Sequence, residues 1–215
     1  MLKLDEIKSW FDDFSKIIFE INVSIENIKR MAFPKDEYEE RVLAHGFFMH
    51  LYRQLRFTII IQLCKILVDN DNQKRNLHKF INRLKTDKYD NQLEDLLFNH
   101  EGSKRLFTSR NDIQKELELL EHKIAAHRNS IDKIVILRNK FYAHSDVNTE
   151  LPIVSNEELE SLIKLAVEIY NSLNGKLLDA YFVFDHISDW KIDHIIKVLA
   201  LHNKDLRKKP TNRVN

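Results

Sequence analysis

The stretch LDEIKSWFDDFSKIIFEINVSIENIKRM, Leu4 to Met31, decides the fold class. Its apolar residues fall at Leu4, Ile7, Trp10, Phe11, Phe14, Ile17, Ile18, Ile21, Ile25 and Ile28. Steps of three and four dominate, which draws one apolar stripe along a helix rather than the alternation of a strand. Pro34 ends that helix, because the residue before a proline is pushed out of the α region. Asp36 and Glu39 stand at capping-box spacing and open a second helix. This helix, roughly 36 to 69, carries Phe47, Phe48, Leu51, Leu55, Ile59, Leu63 and Leu67, with Tyr52, Ile60, Ile61 and Cys64 widening the stripe. A helix apolar over so much of its surface is central or shares an interface. The run Asp69-Asn70-Asp71-Asn72-Gln73 breaks it.

The same reading extends to the rest of the chain. Residues 76 to 107 read as two short helices, one with Leu77, Phe80, Ile81 and Leu84 and the other with Leu93, Leu96, Leu97 and Phe98; Gly102 and Ser103 mark a turn. A further helix, or a tandem pair, runs from about Asn111 to Ala143. Val147 to Val154, with Pro152, is a linker, and Ser155 and Glu158 form a second capping-box pair before a helix through Leu173. An amphipathic piece near 189 to 203 comes last. The expected architecture is all-α: a bundle of about seven helices, with long antiparallel central helices and shorter flanking ones, in one domain over residues 1–203. Residues 204–215 are expected to be a basic, loosely ordered tail.

Composition points the same way. Three glycines and three prolines in 215 residues compare with about 15 and about 11 at average usage. Strand-rich folds need many tight turns, and tight turns need those residues. Charged residues are 31% and nearly balanced, with formal net charge +1, so a nucleic-acid partner would need a local basic patch rather than a global field. The single Cys64, inside an apolar run, excludes a disulfide within the chain and reads as a small buried hydrophobe. Acidic residues interrupt the first turns, unlike a signal peptide, and no uncharged apolar run reaches the ~18 residues of a membrane span. No membrane contact is expected, and a cytoplasmic location is.

The chemistry concentrates in RNKFYAHSD, Arg138 to Asp146. Arginine grips phosphate oxygens in a bidentate fork, and histidine exchanges protons near neutral pH. A neutral imidazole at His144 can take the proton of a ribose 2′-hydroxyl, and an imidazolium can protonate the departing 5′-oxygen. Arg138 would stabilise the extra charge of the pentacoordinate transition state. Asn139 offers a donor and an acceptor to orient either group; Asp146 either holds the imidazole tautomer or is a solvated loop acid. The alternative for such a pair near a helix C-terminus is satisfaction of the last carbonyls and the dipole. On a continuous α-helix, positions six apart lie roughly 120° apart around the axis and about 9 Å along it. Arg138 and His144 would then not share one face, and a two-fold dimer bringing two such pairs to one cleft becomes attractive.

Other groups are weaker. His45/His50 and His122/His127 are five apart, not the i, i+4 spacing that presents two ligands on one helical face, so no metal site is expected. The histidines of the second helix read as core or interface residues. Arg53 and Arg56 either line a phosphate cleft or make surface salt bridges, and Lys140 inside the motif is a further candidate RNA contact. Lys74, Arg75, Lys79, Arg83, Lys85 and Lys88 form a basic run, but Asp69, Asp71, Asp87 and Asp90 flank it, so a solvated face is expected. No phosphate-binding glycine loop or nucleophile elbow is present.

Arg138, Asn139 and His144 match the R-x(4–6)-H signature of the HEPN superfamily, in which a polar residue often follows the arginine. The run RNKFYAHSD on a late helix, the long apolar second helix and the middle section from Asn76 to Lys85 resemble the abortive-infection AbiU-like branch over most of residues 1–175. The resemblance implies a homodimeric, metal-independent endoribonuclease, often a toxin or antiphage effector, that leaves a 2′,3′-cyclic phosphate end. It places Arg138 and His144 at the catalytic positions and Asn139 at the auxiliary polar one, implies an RNA substrate, requires no cofactor and admits an antitoxin partner. Relatives that have lost activity act as binding modules, so the competing expectation is a non-catalytic helical RNA-binding or interaction module.

Overall fold

Helix α1 spans Leu4–Ala32 and buries the stripe expected of it, from Ile7, Trp10 and Phe11 to Ile25 and Ile28. The computed structural model describes residues 1–99, 107–142, 152–184 and 187–208. Gly102, Ser103, the segment 143–151 and residues 209–215 lie outside them. Within the described residues the chain forms nine α-helices, two π-helical turns and one 3-10 turn, with no strand beyond a single bridge between Leu2 and Tyr89.

Three long helices make the centre: α1, α3 (Gly46–Leu67) and α8 (Asn156–Leu178), each packed on the other two. Their inward residues include Phe14, Ile18, Ile59, Leu63, Leu162 and Ile169, all within one core. Aromatic rings join α1 and α8 to α4 (Leu77–Thr86): Trp10 stacks on Phe80 at 5.2 Å, and Phe11 meets Phe80 and Tyr170 edge-on, both at 5.4 Å. Such pairs add about 0.5–1.5 kcal/mol beyond the burial of their area. A short α5 (Asn91–Glu94) follows, continued by a π turn over Asp95–Asn99.

Nine helices replace the expected seven because two expected helices are each divided. The first division yields α2 (Glu37–Leu43) and α3, with His45 in extended conformation between them. Val42 and Phe48 both enter a second, smaller core with Met31, Ile192, Ile196 and Ala200. Six positions apart on a straight helix they would point roughly 120° apart, so the break lets both serve the same core. His45 caps the new helix, its Nδ1 accepting from Phe47 N at 3.2 Å. It is exposed, as is His50; the core reading of these two histidines gives way to a capping role for His45. The second division falls at His127 and separates α6 (Arg110–Ala126) from α7 (Arg128–Leu137), where the His127 ring donates to the Lys123 carbonyl at 2.9 Å.

Both capping-box pairs start helices, in different ways. Ser155 and Glu158 form the full reciprocal box at α8, with Glu158 N to Ser155 Oγ at 3.2 Å and Ser155 N to Glu158 Oε2 at 2.9 Å. At α2, Asp36 accepts from Tyr38 N and Glu39 N, but the Glu39 carboxylate turns to Lys35 N and pairs with Arg30. The last helix, α9 (Asp193–Lys208), follows a 3-10 turn at Ser188–Trp190 and continues through the start of the expected tail. Asn27 of α1 holds its approach: its side chain donates to Trp190 O at 3.0 Å and accepts from Ile192 N at 2.8 Å. No helix among the described residues is long and apolar enough to cross a membrane.

Candidate functional site

The motif begins where α7 stops being an α-helix. Ile131 and Ile134 fix α7 against the core, and the backbone N–H of Arg138 is shared between the carbonyls of Ile134 and Val135. From there Arg138–Tyr142 form a π turn. A π turn closes i→i+5 bonds, so each turn is wider by about a residue and successive side chains rotate less than on an α-helix. The angular argument that separates Arg138 from His144 on a continuous α-helix therefore loses its premise. His144, with Ala143 and Asp146, lies outside the described residues.

Arg138 is half-buried, and Asn139 and Lys140 are exposed. The Arg138 Nε donates to Asn139 Oδ1 at 3.0 Å, so the polar residue after the arginine orients it. Among the described residues no carboxylate lies within ion-pair distance of Arg138. Its charge is instead felt at Cys64 of α3: burial pushes the Cys64 thiol up to about 11, and Arg138 opposes that rise. Cys64 is fully buried, as expected of a small hydrophobe in the core.

Arg138 lines a cleft of about 560 Å³ between the end of α3, the start of α4, α6 and α7. The cleft is not an electropositive channel: Asp69, Glu121 and Asp132 share its wall with Arg128 and Arg138. Arg128 pairs with Asp132 at 3.0 Å and Glu121 with Lys85 at 2.5 Å. His78 faces the same space and donates from Nε2 to the Leu67 carbonyl at 3.0 Å. Nothing in the sequence marked His78, since a lone histidine on an amphipathic helix gives no sign of which cleft it borders.

Arg53 and Arg56 line a different groove, of about 370 Å³, nearer the start of α3. Arg56 donates to Val154 O at 2.7 Å and to Asn156 Oδ1, fastening the entry to α8, while Arg53 is exposed. Arg56, Ile60 and Cys64 follow at steps of four and share one face of α3. The described ends flanking residues 143–151 both meet α3: Arg138 near Cys64 and Val154 at Arg56.

The basic run at the start of α4 is largely committed to internal contacts. Arg75 pairs with Asp13, Arg83 with Glu6 and Asp87, and Lys79 donates to the carbonyls of Asn70, Asp71 and Gln73. A larger cleft of about 700 Å³ between α1 and α8 carries Glu26, Lys29 and Glu160, already joined through Lys29 at 3.1 and 3.3 Å.

Comparison with known proteins gives one match. The family model HEPN_AbiU2, described as AbiU2, matches residues 4–194, which takes in the core helices, the π turn and the start of α9. No curated protein and no solved structure gives a match.

Proposed function

This chain belongs to the AbiU2 family of HEPN proteins, and from that premise we propose that it is a metal-independent endoribonuclease acting as a homodimer, a toxin or antiphage effector of the abortive-infection kind. His144 takes the proton of the ribose 2′-hydroxyl, the 2′-oxygen attacks phosphorus, and the 5′-oxygen leaves with a proton from an imidazolium. The second copy of His144 in the dimer supplies that proton. The products are a 2′,3′-cyclic phosphate and a 5′-hydroxyl, and the nucleophile comes from the RNA itself, so the reaction as drawn calls on no cofactor. Arg138 binds the non-bridging oxygens, for which a guanidinium fork is suited, and Asn139 holds it.

The observation that carries this reading is the state of Arg138: half-buried at a π turn, oriented by Asn139, and unmatched by any described carboxylate. Arg75 and Arg83, by contrast, are each paired with an acid. Lys140, exposed beside Arg138, is the further RNA contact of the proposal, and Arg56 links the α8 entry to the face of α3 that carries Cys64. One observation favours the non-catalytic alternative, a helical RNA-binding or interaction module such as a subunit held by an antitoxin. The cleft beside Arg138 carries three acids against two arginines, which weakens any electrostatic path for RNA.

Induced expression in bacterial cells tests the proposal. The parent is expected to arrest growth and to leave cellular RNA with 2′,3′-cyclic ends, and His144→Ala is expected to relieve both at equal protein level. Growth arrest that persists unchanged in His144→Ala, without cyclic ends, sinks the ribonuclease reading and leaves the interaction module.

A further inference from the structure

The start of α3 and the outer side of α9 together leave a large apolar surface uncovered. α9 buries Ile192, Ile196 and Ala200 against the second core, yet Ile195, Val198 and Leu199 point outward. With His202 these residues follow at i, i+3, i+4 and i+7, one helical face. The two sets lie roughly 110° apart around the helix, so α9 is apolar over adjoining faces and is covered on only one of them. Beside it, Phe47 is 61% exposed and Met49 52%, at the very start of the helix that is otherwise the most buried in sequence character.

Two grooves flank Phe48 on this surface. One, of about 390 Å³, is walled by Val42, Phe47, Ile195 and Leu199, with Arg41, His45 and His202 at its edge. The other, of about 370 Å³, has Met31, Met49 and Tyr52 with Arg53 and Arg56. Across both linings there are three arginines and two histidines, and no aspartate or glutamate. Among the described residues Arg53 has no acidic partner, and the one acid paired with Arg41 is Glu37 of its own helix, at 3.4 Å on an exposed surface.

We infer that this surface docks an acidic amphipathic helix of a partner protein, its apolar face in the two grooves and its carboxylates against Arg41 and Arg53. Charge argues against a second copy as the occupant, because a two-fold contact would set the same basic edge against itself. Size argues the same way. Five half-exposed apolar side chains offer on the order of 400 Å², about half of the ~800 Å² per partner of a standard interface and suited to one helix. RNA is the less favoured occupant, since four of the five exposed apolar side chains, Ile195, Val198, Leu199 and Met49, offer no ring to stack on and only Phe47 does. The apolar end of the surface is also apart from the motif: Phe47 precedes Cys64 by 17 positions, about 25 Å along α3, with Arg53 and Arg56 between them. The inference stands independently of ribonuclease activity.

Fluorescence anisotropy with two labelled synthetic helices of about 18 residues, identical in their leucine face but flanked by glutamate in one and lysine in the other, tests it. The glutamate helix is expected to bind saturably at least about ten-fold tighter than the lysine helix. Leu199→Asp and Phe47→Asp should each weaken it by about ten-fold or more, and Arg41→Glu with Arg53→Glu should reverse the preference. All four positions are exposed or edge residues, so thermal melting of the variants should match the parent. Equal affinity for the two helices, or binding untouched by Leu199→Asp, overturns the inference. So does a dimer in light scattering that Leu199→Asp dissociates without peptide, which would make the face a self-interface. Displacement of the acidic helix by a short 2′-O-methyl RNA that itself loses affinity in Leu199→Asp would overturn it in favour of RNA.

Discussion

At the scale of single residues, two side chains report on the core and the motif together. Phe80 touches Trp10, Phe11 and Phe14 and is fully buried. Phe80→Ala should destabilise the fold by about 3–5 kcal/mol, the usual range for a large aromatic truncated in a core, read as a lower midpoint in denaturant titration. Cys64 gives a different handle. Its thiol is buried and pushed up to about 11, so little thiolate exists at pH 8, and thiolate is the reactive form. Labelling of native protein with a thiol reagent at that pH should be at least about 100-fold slower than labelling in denaturant. Fast native labelling would mean that the packing of α3 against the π turn is not as described. Arg138→Ala removes the cation that opposes the rise, so its native labelling should be no faster than the parent's unless the π turn opens.

At the scale of elements, the helix starts and the helix breaks differ in how far sequence gives them away. Ser155 and Glu158 could be read directly as a box, because the interaction is local and reciprocal. Ser155→Ala should lower stability by about 1 kcal/mol, measured in the same denaturant titration. Asp36 and Glu39 have the same spacing, yet Glu39 is drawn away by Arg30 of the preceding helix at 2.7 Å, a partner that capping-box spacing does not encode. The division of the second helix at His45 was hidden for a similar reason: it serves a core shared with α9, more than 140 positions away in the chain. The π turn at Arg138 left no mark in apolar periodicity, because it changes the rotation of only a few residues. Arg138 and Asn139 as a candidate pair were legible from chemistry; what the sequence could not supply was the backbone beneath them. The attachment of α9 carries a pH signature. Lys197, Arg30 and Lys35 hold the Asp193 carboxyl well below the usual carboxylate range. A carboxylate whose pKa folding lowers contributes its stability in full above its unfolded value, about 3.9, and loses it as pH falls through the folded one. Parent protein should therefore lose stability below about pH 4 more steeply than Asp193→Asn, and equal slopes would remove the network from the account.

At the scale of the whole molecule, α3 is the common support. Its buried half meets α1, α7 and α8 and carries Cys64 beneath Arg138, while its first turns end in an open apolar surface beside α9. One helix thus links the proposed chemistry at one end with the proposed partner site at the other, which fits a toxic activity that a second protein restrains. A protein whose Leu199→Asp variant keeps full ribonuclease activity while losing the acidic helix would separate the two ends as described. Metal-free cleavage of RNA by Arg138 and His144 is tested by the single-turnover cleavage rate of a labelled RNA by the purified parent, His144→Ala and Arg138→Ala, all in excess chelator. The parent should cleave to 2′,3′-cyclic ends, and each variant should lose about 100-fold or more of that rate. Cleavage by both variants at the parent's rate, or none by the parent on any RNA, contradicts that chemistry.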